Sequence, residues 1–141
     1  LCFALYAATH AMTKTYRERL ASIGLTYPQY LVLLVLWERD DQTVSGIGQK
    51  LMLDSGTLTP LIKRLEAAGI VTRRRDGTDE RQVFVKLTAK GRALRNDALD
   101  VRRYVACRLG MSEPEILALR ADIMAMVGGL NAGCGPDDAG V

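Results

Sequence analysis

The chain has 141 residues, 48% hydrophobic and 25% charged, with a formal net charge of +3. This is about one domain's worth of chain with an ordinary globular composition, and no apolar run approaches the ~18 residues of a membrane span. Three cysteines, Cys2, Cys107 and Cys134, with no CxxC, no zinc-ligand spacing and a lone histidine, His10, exclude a disulfide framework and a metal centre.

Residues 2–23 read as a helix. Cys2, Tyr6, Thr9, Thr13, Tyr16 and Leu20 follow steps of 4, 3, 4, 3 and 4 and share one face, which Leu5, Met12 and Ile23 widen. Gly24 stops it. A second helix, PQYLVLLVLWE, has Pro28 in its first turn and Thr26 or Tyr27 near its cap. DDQ, at 40–42, is a polar break. A short helix over 43–53 follows, with Val44, Ile47 and Leu51 at helical spacing and Gly48 allowing close packing.

Asp54 and Ser55 mark a turn and a cap. In the next helix Leu58, Leu61, Ile62 and Leu65 form the buried stripe, Pro60 falls in the early turns, and Gly69 ends it. The period then changes to two. IVTRRR and QVFVKLT, joined by DGTDER, read as a two-stranded hairpin with a basic tip. Helix returns over 88–106 from a Thr88 cap, and a last helix runs through 130 behind an S-x-x-E box at Ser112 and Glu115. The glycine-rich segment 131–141 reads as a flexible tail.

This order is mainly α with a small β-hairpin, the pattern of a winged helix-turn-helix. It gives a single domain over 1–130, with a winged core at about 43–90 and apolar helices at about 2–23 and 88–130 suited to a dimer interface. Charge supports it. Residues 63–95 hold ten Lys/Arg against four Asp/Glu, while 1–62 are balanced at five and five and 96–141 are acidic at four and seven. A local basic patch on such a scaffold points to double-stranded DNA. The second helix of the pair would place Ser55, Gly56, Thr57, Thr59, Lys63 and Arg64 in the major groove. Arg81, at the hairpin tip, suits a narrow minor groove, with Asp79 and Glu80 orienting it, and Arg73 and Arg75 suit backbone phosphates. The bland alternatives are a helix start that needs small polar residues and a solvated charged hairpin.

Cys2 reads two ways, as a small apolar filler or as a reactive thiol, which needs a stabilised thiolate and access. Tyr6, one turn on, can approach it. Tyr16 is fourteen residues away, roughly 21 Å along one helix, so it and Tyr27 could serve Cys2 only from a second chain. Tyrosines on a helix face are also common core or interface fillers.

The runs LCFALYAA, LTYPQYLVLLVLWE, LDSGTLTPLIKRLEAAG and DERQV resemble the organic hydroperoxide resistance regulators, a branch of the MarR family, over nearly all of residues 1–130. The resemblance implies a homodimeric winged-helix repressor of a palindromic operator. It implies that Cys2 is the peroxide-reactive cysteine, with Tyr16 and Tyr27 donating to its thiolate across the dimer and Tyr6 nearby. It further implies a recognition helix over 55–63 and a wing-tip arginine at Arg81. Part of the family carries a resolving cysteine after the wing; Cys107 lies there, and Cys134, in the tail, ranks below it. Organic hydroperoxide would oxidise Cys2, and an intersubunit disulfide with Cys107 would release DNA.

The reading expects no enzyme activity, cofactor, metal or membrane, and a cytoplasmic location. No secretory signal is visible; the chain begins with Leu rather than Met, which leaves upstream residues open. Three rivals remain: a MarR-type repressor released by a small phenolic ligand, a thiol peroxidase, and a structural adaptor without DNA binding.

Overall fold

The computed structural model describes residues 1–79 and 82–132. Six helices and three strands follow in the order α1 (Cys2–Leu20), α2 (Tyr27–Glu38), β1 (Gln42–Thr43), α3 (Val44–Leu51), α4 (Ser55–Ala67), β2 (Val71–Arg75), β3 (Val83–Leu87), α5 (Ala89–Leu109) and α6 (Glu113–Ala132). Two compact units divide the chain, the first Leu1–Val105 and the second beginning at Ala106.

In the first unit the core is built from Leu20 and Leu25, from Tyr30, Val32, Leu33, Val35 and Leu36 of α2, and from Ile47, Leu58, Ile62 and Leu65 of the α3–α4 pair. Val71, Val85 and Leu87 of the sheet, with Ala98 and Val101 of α5, close it. The expected stripe on α4 therefore turns inward at Leu58, Ile62 and Leu65, while Leu61 is only half-buried. α2 buries most of its circumference, as a helix hydrophobic all round must.

Local chemistry sets the boundaries. Thr26 donates its backbone N–H to Gln29 Oε1 at 2.9 Å at the start of α2. The Thr43 hydroxyl accepts from Gly46 N–H, and the Asp54 carboxylate accepts from Thr57 N–H at 2.8 Å. Gly69, at φ +68°, ends α4 in the left-handed conformation, and Thr88 accepts from Gly91 N–H to open α5. Gly48 has no room for a side chain: a Cβ there would lie 2.7 Å from the Leu53 carbonyl oxygen.

Four expectations need correction. The break at 40–42 holds the start of a strand: β1 pairs with β3, Gln42 opposite Val85 and Thr43 opposite Phe84, giving an antiparallel sheet in the order β1-β3-β2. Two residues are too few to show an alternating pattern. The first helix ends at Leu20 and finishes as a 3₁₀ turn, Ala21–Ile23. The helix expected over 88–106 continues to Leu109, where Gly110 at φ +64° stops it. The last helix runs to Ala132, so residues 131 and 132 of the expected tail are helical; the rest of that tail, with Cys134, lies outside the described residues.

In the second unit α6 contributes no buried side chain, and Leu117, Leu119, Ile123, Met124 and Leu130 are exposed. Of the expected box one half forms: Glu115 accepts from both the N–H and the hydroxyl of Ser112. Among the described residues no single helix is long and apolar enough to cross a membrane.

Candidate nucleic-acid interface and thiol site

The α3–α4 pair and the hairpin form the candidate DNA face. Ser55, Gly56 and Thr57 at the start of α4 are exposed, Thr59 is half-buried, and Lys63 and Arg64 are exposed on the side opposite the Leu58/Ile62/Leu65 stripe. Two of the hydroxyl protons here are already in use. Thr57 donates its own to Asp54 Oδ2 at 2.8 Å, and Thr59 donates to the Ser55 carbonyl at 2.6 Å. What these threonines present outward is therefore a methyl group and oxygen lone pairs, suited to a thymine methyl or a base amino group rather than to a phosphate. The Asp54 carboxyl is held below its usual range, first by the bonds from Thr57.

The hairpin arginines separate by partner. Arg73 lies on Glu66, with Nη2 2.6 Å and Nε 2.7 Å from Oε2. Arg74 sits 3.8 Å from Asp41 and stacks over the Phe84 ring, with 4.9 Å to the centroid. Arg75 is exposed and, like Lys63 and Arg64, makes no ion pair among the described residues. Arg81 and Glu80, at the tip, lie outside the described residues. Sequence reasoning missed Glu66; the available signal was a carboxylate in the last turn of a helix, seven residues before an arginine, across a glycine turn.

Behind this face a joint fixes the sheet to the helices. The Asp40 carboxylate accepts from Leu87 N–H at 2.8 Å and faces Arg92 at 3.4 Å, while Arg92 donates to the Leu87 carbonyl at 2.8 Å. Trp37 Nε1–H donates to the Gly91 carbonyl at 2.9 Å. Gly91 is buried, and a Cβ there would fall on the Ile70 carbonyl oxygen.

The thiol site is open. Cys2 is exposed in the first turn of α1, beside Phe3 at 91% and Tyr6 at 68% exposure. The face expected to be buried along this helix is buried only at Leu20, with Leu5, Met12 and Tyr16 half-buried. Tyr6 packs edge-on against His10, ring centroids 4.4 Å apart. Tyr16 meets Tyr27 in a stack at 4.8 Å and Tyr30 at 5.4 Å. Burial, then the neighbouring Tyr30 and Tyr27, pushes the Tyr16 phenol up to about 12 against the opposing Arg102. Burial also raises Tyr27 and Tyr30. Tyr30 is the third ring of this cluster, and sequence reasoning missed it. Cys107 is exposed. Among the described residues no group of His, Cys, Asp and Glu is arranged to hold a metal ion.

An open basic face on a helix pair flanked by a β-hairpin defines a winged helix-turn-helix transcriptional regulator. Residues 14–98 match the family described as transcriptional regulator SarA/Rot. The regulator TtmR of Methylorubrum extorquens is 53% identical over 96% of this chain and 69% of its own length. The organic hydroperoxide resistance transcriptional regulator of Bacillus subtilis is 50% identical over 80% of this chain and 75% of its own. Reduced AbfR bound to DNA superposes with a TM-score of 0.79 at 35% identity, covering 92% of this chain and 90% of that one. AbfR is a protein of Staphylococcus epidermidis, and its disulfide form gives 0.67 over 89% and 88%. The chain belongs to the organic hydroperoxide resistance branch of the MarR family of transcriptional regulators.

Proposed function

We propose that the protein is a cytoplasmic homodimeric repressor that binds a palindromic operator and releases it when an organic hydroperoxide oxidises Cys2. The observation that carries this reading is an accessible Cys2 on a helix whose tyrosine cluster, Tyr16 with Tyr27, stands too far along the same chain to serve it. A second copy, joined through the helices at about 2–23 and 88–130 as one MarR-type domain pair, would bring those phenols to the thiol. Raised as they are, the phenols stay protonated at neutral pH and can donate to a thiolate.

The chemistry balances without a cofactor. The Cys2 thiolate attacks one peroxide oxygen, the O–O bond breaks, and the alkoxide takes a proton and leaves as the alcohol. Cys2 is then a sulfenic acid. The Cys107 thiol of the second copy attacks its sulfur; a disulfide forms and water leaves. Phe3 and Leu5 beside Cys2 favour an alkyl or aryl peroxide over hydrogen peroxide. On the DNA side, Ser55, Gly56, Thr57, Thr59 and Lys63 serve the major groove, Arg64 and Arg75 the phosphates, and Arg81 the minor groove. Similarity to AbfR, solved on DNA in its reduced form, supports the same reading.

One observation favours a second reading, release by a small phenolic ligand: a cavity of about 260 Å³ lies between α3, α4 and the wing, lined by Val44, Ser55, Thr59 and Ile62 among others. Cumene hydroperoxide added to wild type, Cys2→Ser and Cys107→Ser decides between them on a non-reducing gel and a DNA gel shift. The expected result is a covalent dimer that leaves DNA for wild type alone. A Cys2→Ser protein still released by a phenol, with wild type indifferent to peroxide, selects the second reading. Steady peroxide turnover with a thiol reductant would instead mark a peroxidase.

A further inference from the structure

Arg73 looks from sequence like a phosphate ligand, one of three arginines in a row on the wing. Its surroundings say otherwise. Both Nε and Nη2 of its guanidinium rest on one oxygen of Glu66, at 2.7 and 2.6 Å, and its backbone N–H donates to the other oxygen at 3.2 Å. Glu66 is thus gripped by the side chain and the main chain of the same residue. The two side chains are only 30% and 35% exposed. The connection between them is itself tied down. Gly69 N–H donates to the Glu66 carbonyl and Ile70 N–H to the Leu65 carbonyl, while the Thr88 hydroxyl lies 2.8 Å from the Gly69 carbonyl. The recognition helix and the first wing strand therefore meet at a doubly fastened corner. Arg75, two residues on, carries the same charge with no such partner among the described residues.

We propose that Glu66 and Arg73 are positioning residues, a clasp that sets the angle of the wing against the recognition helix, and that Arg75 rather than Arg73 neutralises a phosphate. This rests on the reading that the face of α4 and the wing binds DNA. A guanidinium held by a carboxylate gives little net charge to a polyanion and releases few counterions when DNA binds, whereas a free arginine releases about one.

The test is the salt dependence of affinity for a labelled duplex selected from a random pool by the wild-type protein, measured for Glu66→Gln, Arg73→Gln, Arg73→Lys, Arg75→Gln and the Glu66→Gln/Arg73→Gln double variant. A wild type that selects no duplex defeats the DNA reading, and the clasp's role falls with it. Given binding, Glu66→Gln and Arg73→Gln should each weaken affinity about three- to tenfold, with the double variant no worse than either. Arg73→Gln should leave the slope of log affinity against log salt unchanged. Arg75→Gln should flatten that slope by about one. Arg73→Lys, which keeps the charge but loses the planar fork, should behave like Arg73→Gln. A tighter Glu66→Gln, a flattened slope in Arg73→Gln, additive losses in the double variant, or full affinity in Arg73→Lys would each make Arg73 a phosphate ligand and overturn the clasp. If Glu66→Gln fails to fold, Glu66→Asp, one methylene too short for the grip, takes its place with the same expected loss.

Discussion

Tyr16 carries two expectations that its position in the sequence raises separately. Its spacing along α1 marks it as part of an inward face, and the family resemblance marks it as a donor to a thiolate. In the structure the ring is half-buried against Tyr27 and Tyr30, and burial raises the phenol to about 12, which keeps it protonated at neutral pH. A phenol whose folded value exceeds its unfolded value of ~10 adds stability that is complete below pH ~10 and is lost as pH rises through 12. Thermal melts followed from neutral to strongly alkaline pH should therefore show a decline that begins near pH ~10. Tyr16→Phe should lose part of that decline, and the tyrosinate absorbance near 295 nm should lose its latest-titrating component. A late component that survives in Tyr16→Phe would assign it to Tyr27 or Tyr30.

Among the elements, those with a strong period were legible and those made by pairing were not. α2, α4 and the hairpin could be read because apolar residues recur at fixed steps and because Asp54, Gly69 and Thr88 carry recognisable stop and start chemistry. β1 could not, because a two-residue strand exists only through its partner β3. The clasp, the Asp40 joint and the seat of Trp37 escaped for the same reason: each joins residues from different elements, and Trp37 reaches Gly91 fifty-four residues away. The seat of α5 makes two predictions. Gly91→Ala should destabilise by about 1–3 kcal/mol in chemical denaturation, since its Cβ would fall on the Ile70 main chain and crowd Leu87. Trp37→Phe, which keeps most of the packing and removes the donor to the Gly91 carbonyl, should cost about 1 kcal/mol. A Gly91→Ala cost well below about 1 kcal/mol would mean that α5 slides to make room and that the contact is looser than its geometry implies.

For the molecule as a whole, the charge excess over residues 63–95 was visible as a total but not as a distribution of roles. Arg73, Arg74 and Arg92 face acidic partners at Glu66, Asp41 and Asp40, which leaves Lys63, Arg64 and Arg75, with Lys86, Lys90 and Arg95, as cations without an ion-pair partner among the described residues. Under the proposed mechanism oxidation lowers affinity for DNA, and linkage requires DNA to oppose oxidation by the same factor. The Cys2–Cys107 couple should thus have a reduction potential more positive on operator DNA than off it, by about 30 mV for each tenfold difference in affinity. Redox titration with and without duplex measures this, and identical potentials would uncouple the thiols from the DNA face. The Asp40 joint shows how little motion such coupling would need. With both the N–H and the carbonyl of Leu87 held, one by Asp40 and the other by Arg92, the end of β3 has no slack to absorb a shift at the start of α5. A wing tied in this way is steered rather than loosened. At redox equilibrium, copies not engaged at an operator would then be the more oxidised, so the redox poise at which a gene is freed would rise or fall with the cell's supply of unoccupied regulator.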